Sequence, residues 1–484
     1  MKFISPGSAL LSAVTVLLVR LVPKHFQYLF LLGASLAVLA WDRTSLGVLC
    51  LTSAGAYAGM VLLERMRKEK NRCRKAVLAG LLIWQVLLFV RFQGRCLGIS
   101  YVTLCLIGWE LDVFRGQGEA EKNILHFAAD VLYYPRLYSG PIVCGDEIRV
   151  KTEGKRETGL RIQAFGSAAG PLRRILWGLF KKMVLADRLA MFVDAVFEAP
   201  ASCAFPILWL AVIMASIQIY ADFSGCMDMV LGLSQLLGVS LPENFSQPFF
   251  AAGFADYWRR WHMTMGRWFR TYLFYPLGMN GKVLRLSNAL VSNLKSRRQK
   301  KCARMLIPLF ATWAVTGLWH GLSLHYLIWG LMCAFLILVE SGRKKKPVRN
   351  AGNILFTFLI MSVVRVMFRA SCVRQALSVY SGMIRLRASA GMLRSGAGTG
   401  IIGGAGILPG GLDCLDAVVV FAAVLILWIA DFYRERKGCG IGEWVARLPM
   451  LLRWMLVFLA AAAILLTGVY GPGYAPAEFF YGRF

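Results

Sequence analysis

Charge is scarce in this 484-residue sequence: 17% of residues are Asp, Glu, Lys or Arg, while 57% are hydrophobic. Soluble domains carry about 25% charge. A single large soluble core is excluded, because the apolar residues recur in blocks of roughly 17 to 25, the length that crosses a bilayer's hydrocarbon as a helix. Residue-by-residue alternation is also lacking, which excludes a closed membrane barrel. Acidic residues are fewest of all, 26 against 55 Lys and Arg, leaving a net charge of +29. A nucleic-acid partner is not expected from that excess. The cations sit in short clusters between apolar blocks, as the cytoplasmic anchors of membrane proteins do.

The twelve cysteines run from Cys50 to Cys439 with no C-x-x-C pair and no Cys/His group at metal-ligand spacing. Neither a zinc site nor a disulfide framework is indicated, and the cysteines read as small apolar helix residues. No cleavable signal stands out, because the first apolar stretch runs into Arg20 and Lys24 and another follows at once. No internal repeat is visible.

What is present is a succession of candidate spans near residues 6–22, 26–41, 44–64, 75–91 and 97–114. Residues 124–142, with Pro135, Gly140 and Pro141, suit a re-entrant or interfacial segment, and a basic polar loop follows over 145–173. Further blocks lie near 174–197, 206–221, 226–241, 304–340, 353–369, 413–432 and 451–470. The fold class is an all-α polytopic membrane protein with about 11 to 13 transmembrane or re-entrant helices.

The basic clusters Arg65 to Lys75, Lys295 to Arg304, Arg343 to Arg349 and Arg434 to Lys437 belong in the cytoplasm by the positive-inside rule. The stretch 305–340 has such a cluster at each end, so it crosses twice, in two passes of about 27 Å at 1.5 Å per residue. Its midpoint, Trp319-His320-Gly321, then lies deep or on the far side, where an ionisable side chain is costly. Residues 371–411, rich in Gly and Arg, are expected as an external loop.

Of the five histidines, His25 is juxtamembrane, His126 falls in the irregular segment, and His325 reads as an interface residue. His320 stays neutral in an apolar hairpin and is then suited to act as a general base; the competing reading is a hydrogen-bonded structural histidine. His262 belongs to Asp256-Tyr257-Trp258-Arg259-Arg260-Trp261-His262, which continues through Arg267, Trp268, Arg270, Tyr272 and Tyr275 to Gly278. Arginines and tryptophans so mixed fit either an amphipathic helix at the headgroup level or a site holding a phosphorylated or carboxylated group beside an aromatic-lined channel. Asp222, in Tyr220-Ala221-Asp222-Phe223-Ser224-Gly225, is expected to cap a helix beginning near residue 226 or to pair with a nearby cation. Asp112 and Arg115, at i and i+3, read as a local ion pair.

Taken in order, Gly98-Ile99-Ser100-Tyr101, Asp112 to Gly116, Gly140-Pro141-Ile142, Ile219 to Gly225 and Asn244-Phe245-Ser246-Gln247-Pro248-Phe249 lead into Trp258 to Gly278. Gly317 to Gly321, Ile328-Trp329-Gly330 and Phe368-Arg369-Ala370 follow. The series resembles the membrane-bound O-acyltransferase family, in its bacterial branch of alginate O-acetyltransferases and teichoic acid D-alanyl transferases, over about residues 97–370. The resemblance implies a ring of tilted helices around a central tunnel. It also implies His320 and His262 as catalytic residues, with Trp319, Trp261, Arg267, Asn244 and Asp222 binding substrate. The sequence departs from the family at Gly266, in place of a usual serine, Thr271, in place of an aspartate, and Met279, in place of a second glycine. Leu104-Cys105 stand where an aromatic and a glutamine are common. The corresponding division of the chain is N-terminal helices over 1–96, a catalytic core over 97–370, and an external loop with C-terminal helices over 371–484.

The implied activity is transfer of a short acyl group, acetyl first, from a cytoplasmic thioester to hydroxyls of an exported polysaccharide, directly or through an acetylesterase-fold relay protein. The donor is acetyl-CoA or a phosphopantetheinyl carrier protein, no bound cofactor or metal is expected, and the place is the bacterial plasma membrane. His320 takes the hydroxyl proton and returns it to the thiolate, while His262, Trp261 or Trp319 steadies the oxyanion, an effect worth roughly 3 kcal/mol per well-placed donor. Alternatives are D-alanyl transfer to teichoic acid from a carrier protein, and a transporter or flippase of lipid-linked sugars. Gene neighbours separate the first two: an acetylesterase-fold partner against a D-alanine ligase with a small carrier.

Overall fold

The computed structural model describes residues 4–143, 150–152, 155–157, 162, 166–291, 296–343, 347–385 and 409–470. Among them, eight helices are long and apolar enough to cross a membrane: Arg43–Lys68, Arg74–Phe92, Phe205–Leu236, Gln299–His320, Leu324–Ser341, Ala351–Arg369, Cys414–Lys437 and Met450–Thr467. Two shorter apolar helices precede them, α1 (Pro6–Leu21) and α2 (Lys24–Ala40). The chain is a multi-pass membrane protein. Large apolar side chains such as Leu451, Leu466, Phe421 and Leu87 face outward, a distribution that fits lipid as the surrounding solvent.

In chain order follow α3 (Arg43–Lys68), α4 (Arg74–Phe92) and α5 (Ile99–Arg115). The irregular segment contains two short helices, α6 (Ile124–Val131) and α7 (Tyr134–Leu137), in which Tyr133 and Tyr134 are buried. Non-helical backbone at this depth is tolerated because protein covers it. Within the expected polar loop, Val150–Thr152 pairs antiparallel with Lys155–Glu157. The block near 174–197 is a helical run made of α8 (Ala169–Leu179), a π-helical stretch Phe180–Ala186 and α9 (Asp187–Glu198).

One expectation is overturned at the next element. The blocks near 206–221 and 226–241 do not form two spans; α10 (Phe205–Leu236) runs through both as one helix of 32 residues. Tyr220 to Gly225 contains no helix breaker strong enough to stop it, and burial of Phe223, Cys226 and Met227 on neighbouring helices sustains it. Asp222 is therefore mid-helix and caps nothing.

The Arg/Trp-rich segment is broken into α11 (Phe254–Arg260), α12 (Met263–Phe269), a π-helical stretch Arg270–Phe274 and α13 (Tyr275–Met279), followed by α14 (Gly281–Val291). Most of its rings are inside the protein: Tyr257, Trp258, Trp261, Trp268 and Tyr272 are buried, while Tyr275 is exposed. The stretch 304–340 is the hairpin expected for it, α15 (Arg297–His320) and α16 (Leu324–Ser341), with the turn immediately after His320. Glycines let the two helices touch. A Cβ on Gly317 would lie 2.3 Å from the Tyr326 carbonyl oxygen, and one on Gly330 2.2 Å from that of Trp313.

Beyond α17 (Ala351–Arg369), part of the expected external loop is helical, α18 (Val373–Ile384), while 386–408 lie outside the described residues. The described chain closes with α19 (Cys414–Lys437), α20 (Ile441–Ala446) and α21 (Met450–Thr467). One apolar cluster joins residues from Leu39 to Ile464, and a second joins Val19, Leu31 and Val38 to Tyr133 and Leu237. Asp431 accepts a hydrogen bond from Tyr220 (2.7 Å), and Glu435 pairs with Arg260 (2.8 Å), tying α19 to the centre.

Candidate active site

The break between α11 and α12 positions His262. Its backbone sits at φ 44°, ψ 54°, in the left-handed region that costs an L-residue roughly 1–2 kcal/mol. Two backbone hydrogen bonds from the strap 244–246 hold it there: Ser246 N–H donates to the Arg260 carbonyl and Met263 N–H to that of Asn244, both at 3.0 Å. The side chain of Asn244 then orients the ring. Thr264 N–H donates to Asn244 Oδ1 at 3.1 Å, which identifies that atom as an acceptor; His262 Nδ1, also 3.1 Å from it, must carry its proton there. The tautomer leaves Nε2 as the basic nitrogen, the arrangement by which a base is preset. Thr264 Oγ1 adds a bond to Asn244 Oδ1 at 2.9 Å and accepts one from Ile142 N–H at 3.1 Å, joining the Gly140-Pro141-Ile142 motif to the site.

His320 stands at the C-terminal end of α15, 2% exposed and boxed by rings. Trp329 and Phe368 meet it edge-on at centroid distances of 5.2 and 5.1 Å. Trp319 touches both histidines, 4.7 Å from His320 and 6.2 Å from His262, and the Trp319 carbonyl accepts from Gln93 at 2.6 Å. The indole Nε1 of Trp319 is buried and has no hydrogen-bond partner among the described residues. It is a donor still to be satisfied beside both imidazoles.

His320 lines a cavity of about 780 Å³ together with Gln218, Asp222, Lys182, Asp187 and Arg369. Its remaining walls include Asp194, His325 and Tyr326 and several helix ends: Gln93 after α4, Glu198 of α9, the turn Gly321–Leu322, and Ser371 before α18. In α4, α15 and α17 these are the ends opposite the basic clusters. Lys182, in the π-helical stretch, is 3% exposed and pairs with Asp222 at 2.7 Å and Asp187 at 2.8 Å. Further ion pairs lie nearby: Lys181, itself buried, with Asp228 at 2.6 Å, and the half-buried Arg174 with Asp228 at 3.0 Å and Glu243 at 2.7 Å. Close contact again depends on glycine, since a Cβ on Gly178 would lie 2.6 Å from the Gly225 carbonyl oxygen.

The structure thus gathers His262, Asn244 and Trp319 in one buried cluster, and puts His320 both in that cluster and on the cavity wall. Asp222 reaches the cavity through the second of its expected options, a nearby cation. Trp261 is buried under the Arg365 guanidinium, 4.2 Å above its ring, and does not line the cavity. Arg267 is exposed and outside the cluster. Asp112 accepts from Tyr272 Oη at 2.9 Å. His126 packs on Tyr28 at 4.2 Å, and His325 bonds Ser323 at 2.8 Å. Lys182 and Gln218 were not singled out from the sequence; lysines inside an apolar block, as Lys181-Lys182 are, were the available signal.

The sequence profile of the membrane-bound O-acyltransferase family matches residues 119–292. That span holds Asp222, Asn244, Trp261, His262 and Arg267; Trp319 and His320 lie beyond its end. The chain is 30% identical over 350 residues to a probable alginate O-acetylase of Pseudomonas fluorescens, covering 71% of this chain and 63% of the relative. It is 33% identical over 271 residues to the peptidoglycan O-acetyltransferase of Helicobacter pylori, covering 55% and 47%. Identity to the teichoic acid D-alanyltransferase of Bacillus subtilis is 26% over 245 residues, covering 50% and 58%. The chain therefore spans between about half and two thirds of the length of these relatives. Over residues 119–292 the chain carries the profile of the membrane-bound O-acyltransferase family, and over a wider span it is similar to bacterial polysaccharide O-acetyltransferases and teichoic acid D-alanyltransferases.

Proposed function

We propose that this protein transfers a short acyl group, acetyl in the first place, from a cytoplasmic thioester to a hydroxyl of an exported cell-surface polysaccharide or of a relay partner. The observation that carries this reading is the position of His320, which faces a cavity on the side opposite the basic clusters and also adjoins the His262 cluster within. By the positive-inside rule that cavity opens outside. The relatives named above lend the reaction class: an alginate O-acetylase, a peptidoglycan O-acetyltransferase and a D-alanyltransferase.

In the proposed reaction the acceptor hydroxyl enters the cavity and His320 takes its proton as the oxygen attacks the thioester carbonyl carbon. The C–S bond breaks, the oxygen–acyl bond forms, and the proton passes from the imidazolium to the departing thiolate. No electron donor or metal is needed for this balance. In this reading Trp319 Nε1, buried and without a partner among the described residues, donates to the oxyanion, and His262 serves as a second proton carrier. The donor is acetyl-CoA or a phosphopantetheinyl carrier protein.

The test measures base-labile acyl esters on the surface polysaccharide of a deletion strain complemented at matched membrane abundance. Wild type restores acetate ester, His320→Ala restores none, and His262→Ala lowers the level by at least about 10²-fold. Full ester with His320→Ala overturns the assignment of the base. Similarity to the teichoic acid enzyme supports D-alanyl transfer as the second reading, and release of D-alanine rather than acetate on mild alkaline treatment decides for it.

A further inference from the structure

The walls of the His320 cavity are unbalanced in charge, and that imbalance bears on what enters it. Four carboxylates, Asp187, Asp194, Asp222 and Glu198, line it against two permanent cations, Lys182 and Arg369. Both cations are engaged by those carboxylates: Lys182 by Asp222 and Asp187 at 2.7 and 2.8 Å, and Arg369 by Asp194. At the mouth, Asp194 and Glu198 are exposed, so the field they set meets anything that approaches. A cleft carrying one sign of charge between low-dielectric walls concentrates ions of the other sign and repels its own.

A second observation points to a ligand in the same place. Gln218 lies one helical turn before Asp222 on α10, is 7% exposed and lines the cavity. Its Oε1 is buried and has no hydrogen-bond partner among the described residues. A buried carbonyl oxygen of this kind is unfavourable unless a donor reaches it, and a ligand hydroxyl is such a donor. The carboxylates on the same wall are also acceptors.

We propose that the outer cavity above His320 binds an uncharged or cationic hydroxyl-bearing acceptor through Gln218 and the carboxylate wall, and turns away polyanionic ones. This rests on the acyl-transfer reading for its chemistry, and it narrows the acceptor class. A polyuronate or polyphosphate chain would meet the wall's net negative charge, exposed at Glu198, before any hydroxyl reached His320. A neutral sugar, an amino sugar, or a hydroxyl side chain on a neutral or basic peptide would not.

The test reads the potential of the cavity and needs no turnover. Leu322, 56% exposed in the turn that forms one wall, is changed to cysteine in the full chain carrying Cys372→Ser, and spheroplasts are treated from outside with membrane-impermeant methanethiosulfonates. One reagent is cationic, with a trimethylammonium-ethyl group, and the other anionic, with a sulfonatoethyl group. Labelling of residue 322 is followed by mass spectrometry and each rate is divided by that for a free thiol in the same buffer. The expected result is a normalised cationic-to-anionic ratio of at least about 10. It falls severalfold in Asp194→Asn/Glu198→Gln, or in Glu198→Gln alone if the double variant does not reach the membrane, and falls likewise in about 0.5 M salt. A ratio at or below one overturns the proposal in favour of an anionic acceptor, and absence of labelling from outside overturns the cavity's placement. Neither outcome depends on ester formation, so this inference and the acyl-transfer reading fail separately.

Discussion

His262 and His320 are held in different ways. The ring of His262 is fixed by one oxygen, Asn244 Oδ1, whose role as acceptor is settled by the Thr264 backbone N–H. Replacing that oxygen frees the tautomer while leaving the imidazole in place, so Asn244→Ala is expected to lower ester formation by up to about 10²-fold at unchanged membrane abundance. Asn244→Asp, which keeps an acceptor at Oδ1, is expected to retain more activity than Asn244→Ala in the same ester assay. His320 is held by the flat faces and edges of Trp319, Trp329 and Phe368, and depends on shape. The motif containing His320 was legible in the sequence because glycines and a tryptophan surround an ionisable group in an apolar hairpin. The partnership of Asn244 with His262 was not, since the two are 18 residues apart and meet through a strap that no periodicity announces.

At the scale of elements, two helix pairs place the site and both rely on glycine. The α15–α16 hairpin closes through Gly317 and Gly330, and any side chain there pushes against backbone carbonyls. Gly317→Val is expected to cost about 1–3 kcal/mol by overpacking, read as a lower midpoint of thermal unfolding in detergent, and to abolish ester by moving His320. The other pair joins the run from α8 to α9 with α10, through Gly178 and Gly225 and the buried ions. Removing one member of a buried ion cluster leaves its partners unpaired, so Lys182→Met is expected to destabilise by roughly 3–5 kcal/mol. The triple variant Lys182→Met/Asp187→Asn/Asp222→Asn is expected to recover most of that in the same unfolding measurement. Recovery in the triple variant without recovery of ester would separate folding from the cluster's part in the site. Failure of the triple variant to recover would show that the cluster's shape, rather than its charge balance, holds the helices. The sequence suggested two helices where α10 is one, because hydropathy dips at Asp222 without a backbone signal to stop the helix.

For the whole molecule, the arrangement of basic clusters and the cavity imply one orientation, and native cysteines report it. Cys372 and Cys414 are exposed at ends assigned to the outside, and Cys73 is exposed between α3 and α4, assigned to the cytoplasm. An impermeant maleimide added to intact spheroplasts is expected to label Cys372 and Cys414, and to reach Cys73 only after permeabilisation. Labelling of Cys73 from outside would reverse the topology and with it the faces assigned to donor and acceptor. Helix α19 belongs to this level as well: Asp431 and Glu435 bond Tyr220 and Arg260, so an element late in the chain braces the centre.

Composition and hydropathy determined by themselves that the chain is helical and multi-pass, because a membrane forces each backbone hydrogen bond to be made within a segment and each segment to be long and apolar. The ordered motifs pointed to the similarity with O-acyltransferases and singled out His262 and His320 as candidates, because the chemistry of a site needs particular side chains in a particular order. Tertiary structure alone decided which side chains meet: that Asp222 sits mid-helix against Lys182, that Trp261 and Arg267 stand off the cavity, and that Asn244 sets the tautomer of His262. The physical reason is that local sequence fixes conformation through backbone and hydropathy, whereas partners across helices are selected by the packing of whole elements, which the close approaches at Gly178 and Gly317 permit and no short motif encodes.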